Sequence, residues 1–239
     1  MSAPAAGALP PGNWRVKVGA EETSAVFEPA LTSSNGALFV FAHGAGGHMA
    51  DRSVLGVSEH LRRQGFHVVR FNFLYREKKV GRPDPMPRLK ECIAAVASHA
   101  RHEIRPQTLI LGGRSMGGRA ASMLAADGFP CDGLLLLAYP LHPAGKPEEP
   151  RDAHLSKIKV PVLCLNGTRD ALCRRDLMER AVDRLTGGWS MHWLDGADHS
   201  FHVLKSSGRS DGDVLSEIAD VCGTWVSGLR GKTAGSEGI

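Results

Sequence analysis

No segment of the 239-residue chain approaches the roughly 18 consecutive apolar residues of a membrane-spanning helix. No membrane span is therefore expected. Cysteine is scarce. Cys92, Cys131, Cys164, Cys173 and Cys222 are odd in number and form no Cys-x-x-Cys pair, which argues against a disulfide framework and for a reducing compartment. Net charge is small too: 29 Lys and Arg stand against 25 Asp and Glu, with both signs interspersed, an excess too weak to argue for nucleic acid. The opening MSAPAAGALPPGN carries neither a basic group nor a long apolar run, so no secretory or transit segment is read there and a cytoplasmic location is expected. His, Cys, Asp and Glu do not recur at metal-ligand spacing, and neither a metal nor an organic cofactor is implied.

What remains is an ordinary globular composition, 42% hydrophobic and 23% charged, able to bury a core. Residues 1–12 (Ala/Pro/Gly-rich) and 231–239 (Gly/Ser-rich) have little to bury and are expected to be tails around one domain, 13–230. Within it, apolar runs at 37–42, 67–73, 108–111, 133–138, 160–165 and 191–194 read as strands. Several are apolar almost throughout, as strands covered on both faces must be. Helical spacing lies between them, as in Val54, Val57 and Leu61 before Gly65, or Leu177, Ala181 and Leu185 before Gly187. This alternation predicts an α/β fold, six parallel strands with helices on both faces, after a short antiparallel entry at 14–18 and 25–27.

In such sheets chemistry gathers beyond the carboxyl ends of the strands. After the run at 108–111 comes Gly-x-Ser-x-Gly at Gly113, Ser115 and Gly117, a strand turning directly into a helix with the central serine in strained geometry. The plain alternative is that Ser115 merely caps that helix. A P-loop at the same place fails, because Gly118 is followed by Arg119-Ala120 rather than Lys-Ser/Thr. The turn His43-Gly44-Ala45-Gly46-Gly47 is no dinucleotide fingerprint, since Met49 falls where the last glycine should be. Beside a serine nucleophile it offers oxyanion donors, and the Ala45 and Met116 amides are the candidates. Asp170 follows the run at 160–165 and His199 follows 191–194, which completes the chain order Ser, Asp, His. His43, His142 and His202 are rival bases; Asp176 and Asp198 are rival acids. The stretch from Leu74 to Arg82 reads as a loop, and its cations Arg76, Lys78, Lys79 and Arg82 are either simply solvated or placed to steer an anionic acyl substrate.

These motifs, with Tyr139-Pro140-Leu141-His142, Arg151-Asp152 and His192-Trp193-Leu194, make residues 36–229 resemble the α/β-hydrolase superfamily in its small, nearly lidless dienelactone-hydrolase-like form. More narrowly, they resemble the testis-expressed and NSL-complex-subunit hydrolase-like proteins and their bacterial relatives. The resemblance implies an α/β-hydrolase fold with minimal or no cap and Ser115, Asp170 and His199 as a catalytic triad. It brings no substrate, since dienelactone hydrolases use cysteine where this chain has Ser115. Tyr75, Leu141 and His142 are the candidate substrate contacts, and a small-molecule acyl substrate is the expected partner. The expected activity is hydrolysis of an ester or related acyl bond. Two alternatives stay open, a non-catalytic hydrolase-like interaction module and acyl transfer to an acceptor other than water.

Overall fold

The computed structural model describes residues 9–233. Residues 1–8 and 234–239, the outer parts of the two expected tails, lie outside the described residues. A single eight-stranded sheet organises the rest: β1 (Gly12–Val18), β2 (Glu21–Glu28), β3 (Ala37–Ala42), β4 (His67–Phe71), β5 (Thr108–Arg114), β6 (Gly133–Leu137), β7 (Val162–Gly167) and β8 (Trp189–Leu194). Their spatial order is β1-β2-β4-β3-β5-β6-β7-β8. β1 and β2 pair antiparallel and β2 meets β4 antiparallel, while β3 to β8 run parallel. This is the α/β architecture that the strand pattern predicts, and the α/β-hydrolase fold that the resemblance implies.

The apolar runs have a two-sided explanation. Along β3, Leu38, Val40 and Ala42 join one core, together with α3 (Met86–Ile104), α4 (Met116–Ala126) and Met178 of α5 (Arg175–Val182). The alternate residues Ala37, Phe39 and Phe41 join the other core, under α1 (Arg52–Arg63) and α6 (Asp211–Thr233). A strand sandwiched this way has no polar face to show, so period-2 alternation disappears. α1 presents Val54, Val57 and Leu61 and ends before Gly65 at φ +85°, the stop that the spacing predicts.

Strand ends differ from the sequence reading where hydrogen bonds, not side chains, decide. β4 ends at Phe71 instead of Phe73, because Phe73 starts a short helix, α2 (Leu74–Glu77), where a loop is expected. β5 runs on to Arg114: Gly112 and Gly113 still pair with Phe41 and Ala42, and a side chain at Gly112 would run into the Leu135 backbone. β7 begins after Pro161, which has no N–H for the ladder, and extends through Gly167. α5 stops at Val182, short of Leu185, as the chain tightens into bonds from the Arg184 and Leu185 amides to carbonyls three residues back. Between β6 and β7 the described chain forms a 3-10 turn, Leu155–Lys157, and no α-helical cap.

Candidate active site

Ser115 stands between β5 and α4 with φ +53° and ψ −118°. A non-glycine residue held at positive φ stores roughly 1–3 kcal/mol of strain, and such outliers cluster where a side chain must be presented. The flanking glycines make the turn possible. A Cβ at Gly113, itself at φ +155°, would overlap the Ala42 carbonyl, and one at Gly117 would lie 2.6 Å from the His43 carbonyl. The serine does not cap its helix: Ser115 makes no side-chain cap bond. Its Oγ instead lies 2.9 Å from His199 Nε2.

His199 Nδ1 donates to Asp170 Oδ2 at 2.8 Å. Asp170 is 5% exposed, and its carboxylate is filled by three donors: His199, the Leu172 amide on Oδ1 at 2.8 Å and Asn166 Nδ2 on Oδ2 at 3.2 Å. Ser115, Asp170 and His199 thus come from beyond the carboxyl ends of β5, β7 and β8, up to 84 residues apart in the chain.

The rival side chains are occupied elsewhere. His43 is wholly buried, its Nδ1 donating to the Gly44 carbonyl at 2.8 Å and its Nε2 accepting the Phe73 amide at 3.2 Å. Burial pulls its pKa down to about 4. His142 uses its ring in the same way, Nδ1 toward the Pro143 carbonyl and Nε2 accepting from the Arg174 amide. His202 sits at the surface against Asp211. Asp198 accepts the Ser200 and His202 amides, which shapes the His199 turn, and Asp176 is paired with Arg174 and Arg180 on the exposed face of α5.

Ser115, Ala45 and Met116 line a common cavity of about 360 Å³. In the glycine-rich turn the Gly46 amide donates to Tyr75 Oη, Gly47 to the Gly44 carbonyl, His48 to Asp51, Met49 to Asn72 and Ala50 to His48. The Ala45 amide takes no such partner among the described residues. Met116 is the first residue of α4, so no preceding helical carbonyl awaits its N–H. Of the candidate substrate contacts, Tyr75 is buried under the turn. Leu141 and His142 are buried too and do not line this cavity; Leu141 lines a neighbouring one with Leu177 and Arg180. None of Arg76, Lys78, Lys79 and Arg82 lines the Ser115 cavity either, and Lys78 is ion-paired with Glu21 at 2.6 Å.

Two supports were not legible as site residues. Arg114, beside Ser115, reaches across to the His199 turn: its Nη2 donates to the His199 carbonyl at 2.8 Å and lies 3.4 Å from Ser200 Oγ. Burial lowers its pKa, against the pull of Asp170, Asp198 and Asp51. Asn166, fully buried, donates from Nδ2 to both Asp170 and the Tyr139 carbonyl, and its Oδ1 accepts the Tyr139 amide at 3.1 Å. The one signal for it is a polar residue in the otherwise apolar run Val162–Leu165 and its continuation. Among the described residues no three His, Cys, Asp or Glu side chains group in a way that could hold a metal ion, and no helix is long and apolar enough to cross a membrane.

Solved structures share this architecture. A serine hydrolase homologue from Coxiella burnetii superposes with a TM-score of 0.72 at 21% identity, over 87% of this chain and 96% of that one. A lidless α/β serine hydrolase from Xanthomonas campestris gives 0.72 at 21%, over 90% and 94%. A dienelactone hydrolase from Anabaena variabilis gives 0.67 at 19%, over 90% and 96%. At these identities the likeness is one of fold. The model of the alpha/beta hydrolase domain family matches residues 35–227, most of the chain, and the protein belongs to that family.

Proposed function

We propose that the protein is a serine hydrolase that cleaves an ester or a related acyl bond. The observation that carries this is the continuous chain from Ser115 Oγ through His199 to Asp170, at 2.9 and 2.8 Å, beside a cavity open to substrate. Ser115 Oγ attacks the acyl carbon while its proton passes to His199 Nε2, and Asp170 holds the ring with Nδ1 protonated. The tetrahedral oxyanion takes the Ala45 and Met116 amides, donors of a kind worth roughly 3–4 kcal/mol each in the transition state. Collapse breaks the bond to the leaving group, which receives the proton from His199. Water then repeats the cycle on the acyl-enzyme: His199 takes its proton, the acid departs and Ser115 regains its hydrogen. Family membership and the serine hydrolases among the structural neighbours agree with this reading.

The test is labelling with a fluorophosphonate probe, read by intact mass, with hydrolysis of a short 4-nitrophenyl ester in parallel. Wild type should gain one adduct on Ser115 and turn the ester over, while Ser115→Ala should do neither. An unlabelled, inactive wild type defeats the proposal and favours the non-catalytic module. Ester turnover undiminished in Ser115→Ala defeats the assignment of the nucleophile.

A further inference from the structure

Arg119 and Arg151 stand on two different segments, one turn into α4 and in the connection between β6 and β7, and both line the Ser115 cavity. Both are partly buried. Arg119 Nε is fully sheltered and has no hydrogen-bond partner. Among the described residues, neither guanidinium meets a carboxylate within ion-pair distance. The two also act on each other, the charge of Arg119 opposing protonation of Arg151 while burial does the same. Two cations bordering one part-buried cavity with no ion-paired partner are costly, unless an anion lies between them.

The rest of the lining defines that anion. Asp84 is the one acidic residue, and it accepts the Tyr75 amide at 3.0 Å. The walls therefore carry one net positive charge, which suits a monoanion and penalises a dianion such as phosphate. Much of the remaining wall is apolar, supplied by Met86, Leu89, Met116 and Leu172. Guanidinium forks match the planar geometry of a carboxylate. Arg119 lies four residues beyond Ser115, its amide bonded to the Ser115 carbonyl at 3.0 Å, so a carboxylate held there is a short acyl chain away from the nucleophile.

We infer that the Ser115 cavity selects acyl groups ending in a carboxylate, held by Arg119 and Arg151. The inference rests on the serine hydrolase reading and narrows its substrate to half-esters, or related acyl derivatives, of short dicarboxylic acids. The sequence reading leaves the cations of the stretch 74–82 either simply solvated or placed to steer an anionic substrate; the cavity takes its basic charge from Arg119 and Arg151.

The experiment compares mono-4-nitrophenyl glutarate with 4-nitrophenyl valerate, the same acyl length with a methyl in place of the carboxylate. The readout is the ratio of kcat/KM for the two esters, from which any loss common to both cancels. Wild type should favour the glutarate by about tenfold or more, with the preference shrinking in high salt. Arg119→Met and Arg151→Met should each reduce the ratio, and the double variant should bring it to about one. A wild-type ratio near one, or a preference kept in the double variant, overturns the subsite while leaving hydrolysis standing. If Ser115 takes no probe and neither ester is cleaved, the hydrolase reading has failed and calorimetry with monomethyl glutarate, a monoanion, decides the subsite alone. Binding by wild type that the double variant loses supports it, and equal or absent binding overturns it. Inorganic phosphate binding more tightly than monomethyl glutarate overturns the assignment to a monocarboxylate.

Discussion

Acidification should destabilise the protein well above the pH at which its carboxylates titrate, and His43 is the main reason. Its ring is sealed beneath the glycine-rich turn, with one nitrogen donating to Gly44 and the other accepting from Phe73. A second ring proton would point at the Phe73 N–H, so the folded state resists it and the pKa falls to about 4 from 6.5. Unfolded chains take up that proton near pH 6.5, so stability from this group is present in full above pH 6.5 and drains as the pH falls toward 4. From pH 8 to pH 5 the loss is about 2 kcal/mol for His43 alone, at about 1.4 kcal/mol per proton per pH unit. His154, also lowered to about 4 by burial, works in the same direction. Urea unfolding followed by tryptophan fluorescence at pH 8, 7, 6 and 5 measures the slope directly. His43→Gln should be less stable at pH 8 and show a flatter decline, with a difference in slope of up to about one proton. A wild-type stability that is level or rises between pH 8 and 5, or a variant with the wild-type slope, refutes this account.

Three further outcomes are expected. Gly117→Val should lose folded yield or more than about 3 kcal/mol, because its side chain must enter the space of the Ala42 and His43 carbonyls; Gly81→Ala, with nothing near it, should stay within about 0.5 kcal/mol in the same urea assay. Asn166→Leu should cost about 2–4 kcal/mol, since it orphans the buried Tyr139 amide and carbonyl, and should lower kcat by freeing Asp170 to turn. Arg114→Met should lower kcat more than it raises KM for a neutral ester, with far-ultraviolet dichroism unchanged, because it releases the His199 turn and touches no substrate; an unaffected kcat would show that the turn holds itself.

The site was legible to the extent that it follows from local chemistry. Gly113-x-Ser115-x-Gly117 announces a turn that only glycines permit, and Asp170 and His199 each follow an apolar run at a strand end. The element types were legible because two-sided burial leaves an uninterrupted apolar run. Boundaries were less so. Gly112 and Gly113 look like a turn by composition, yet backbone pairing with β3 and β6 carries β5 through them to Arg114. The arginines show the limit more sharply. Arg76, Lys78, Lys79 and Arg82 form a conspicuous run, and Lys78 is spent on Glu21. Arg119 and Arg151 are 32 residues apart with nothing local to join them, and they meet because α4 and the β6–β7 connection border one cavity. Leu141 and His142 sit beside a strand end in sequence but turn inward, where the Pro143 carbonyl and Arg174 amide claim the His142 ring.

The helix that closes the second core is the last element among the described residues. Val214, Ile218, Ala219, Cys222 and Val226 of α6 cover a face that Phe39, Phe41, Leu135 and Leu163 present from strands made much earlier. During synthesis that face has α1 and, later, Ala197, Phe201 and Val203 over part of it, and it is not closed until residues beyond 211 have left the ribosome. For that interval the growing chain exposes a broad apolar surface, the condition under which nascent proteins aggregate or are held by chaperones. His199 also emerges late, so its hydrogen bond with Ser115 can form only shortly before that cover arrives. Premature termination before residue 199 thus yields a sticky fragment that also lacks the hydrogen-bond partner of the Ser115 hydroxyl.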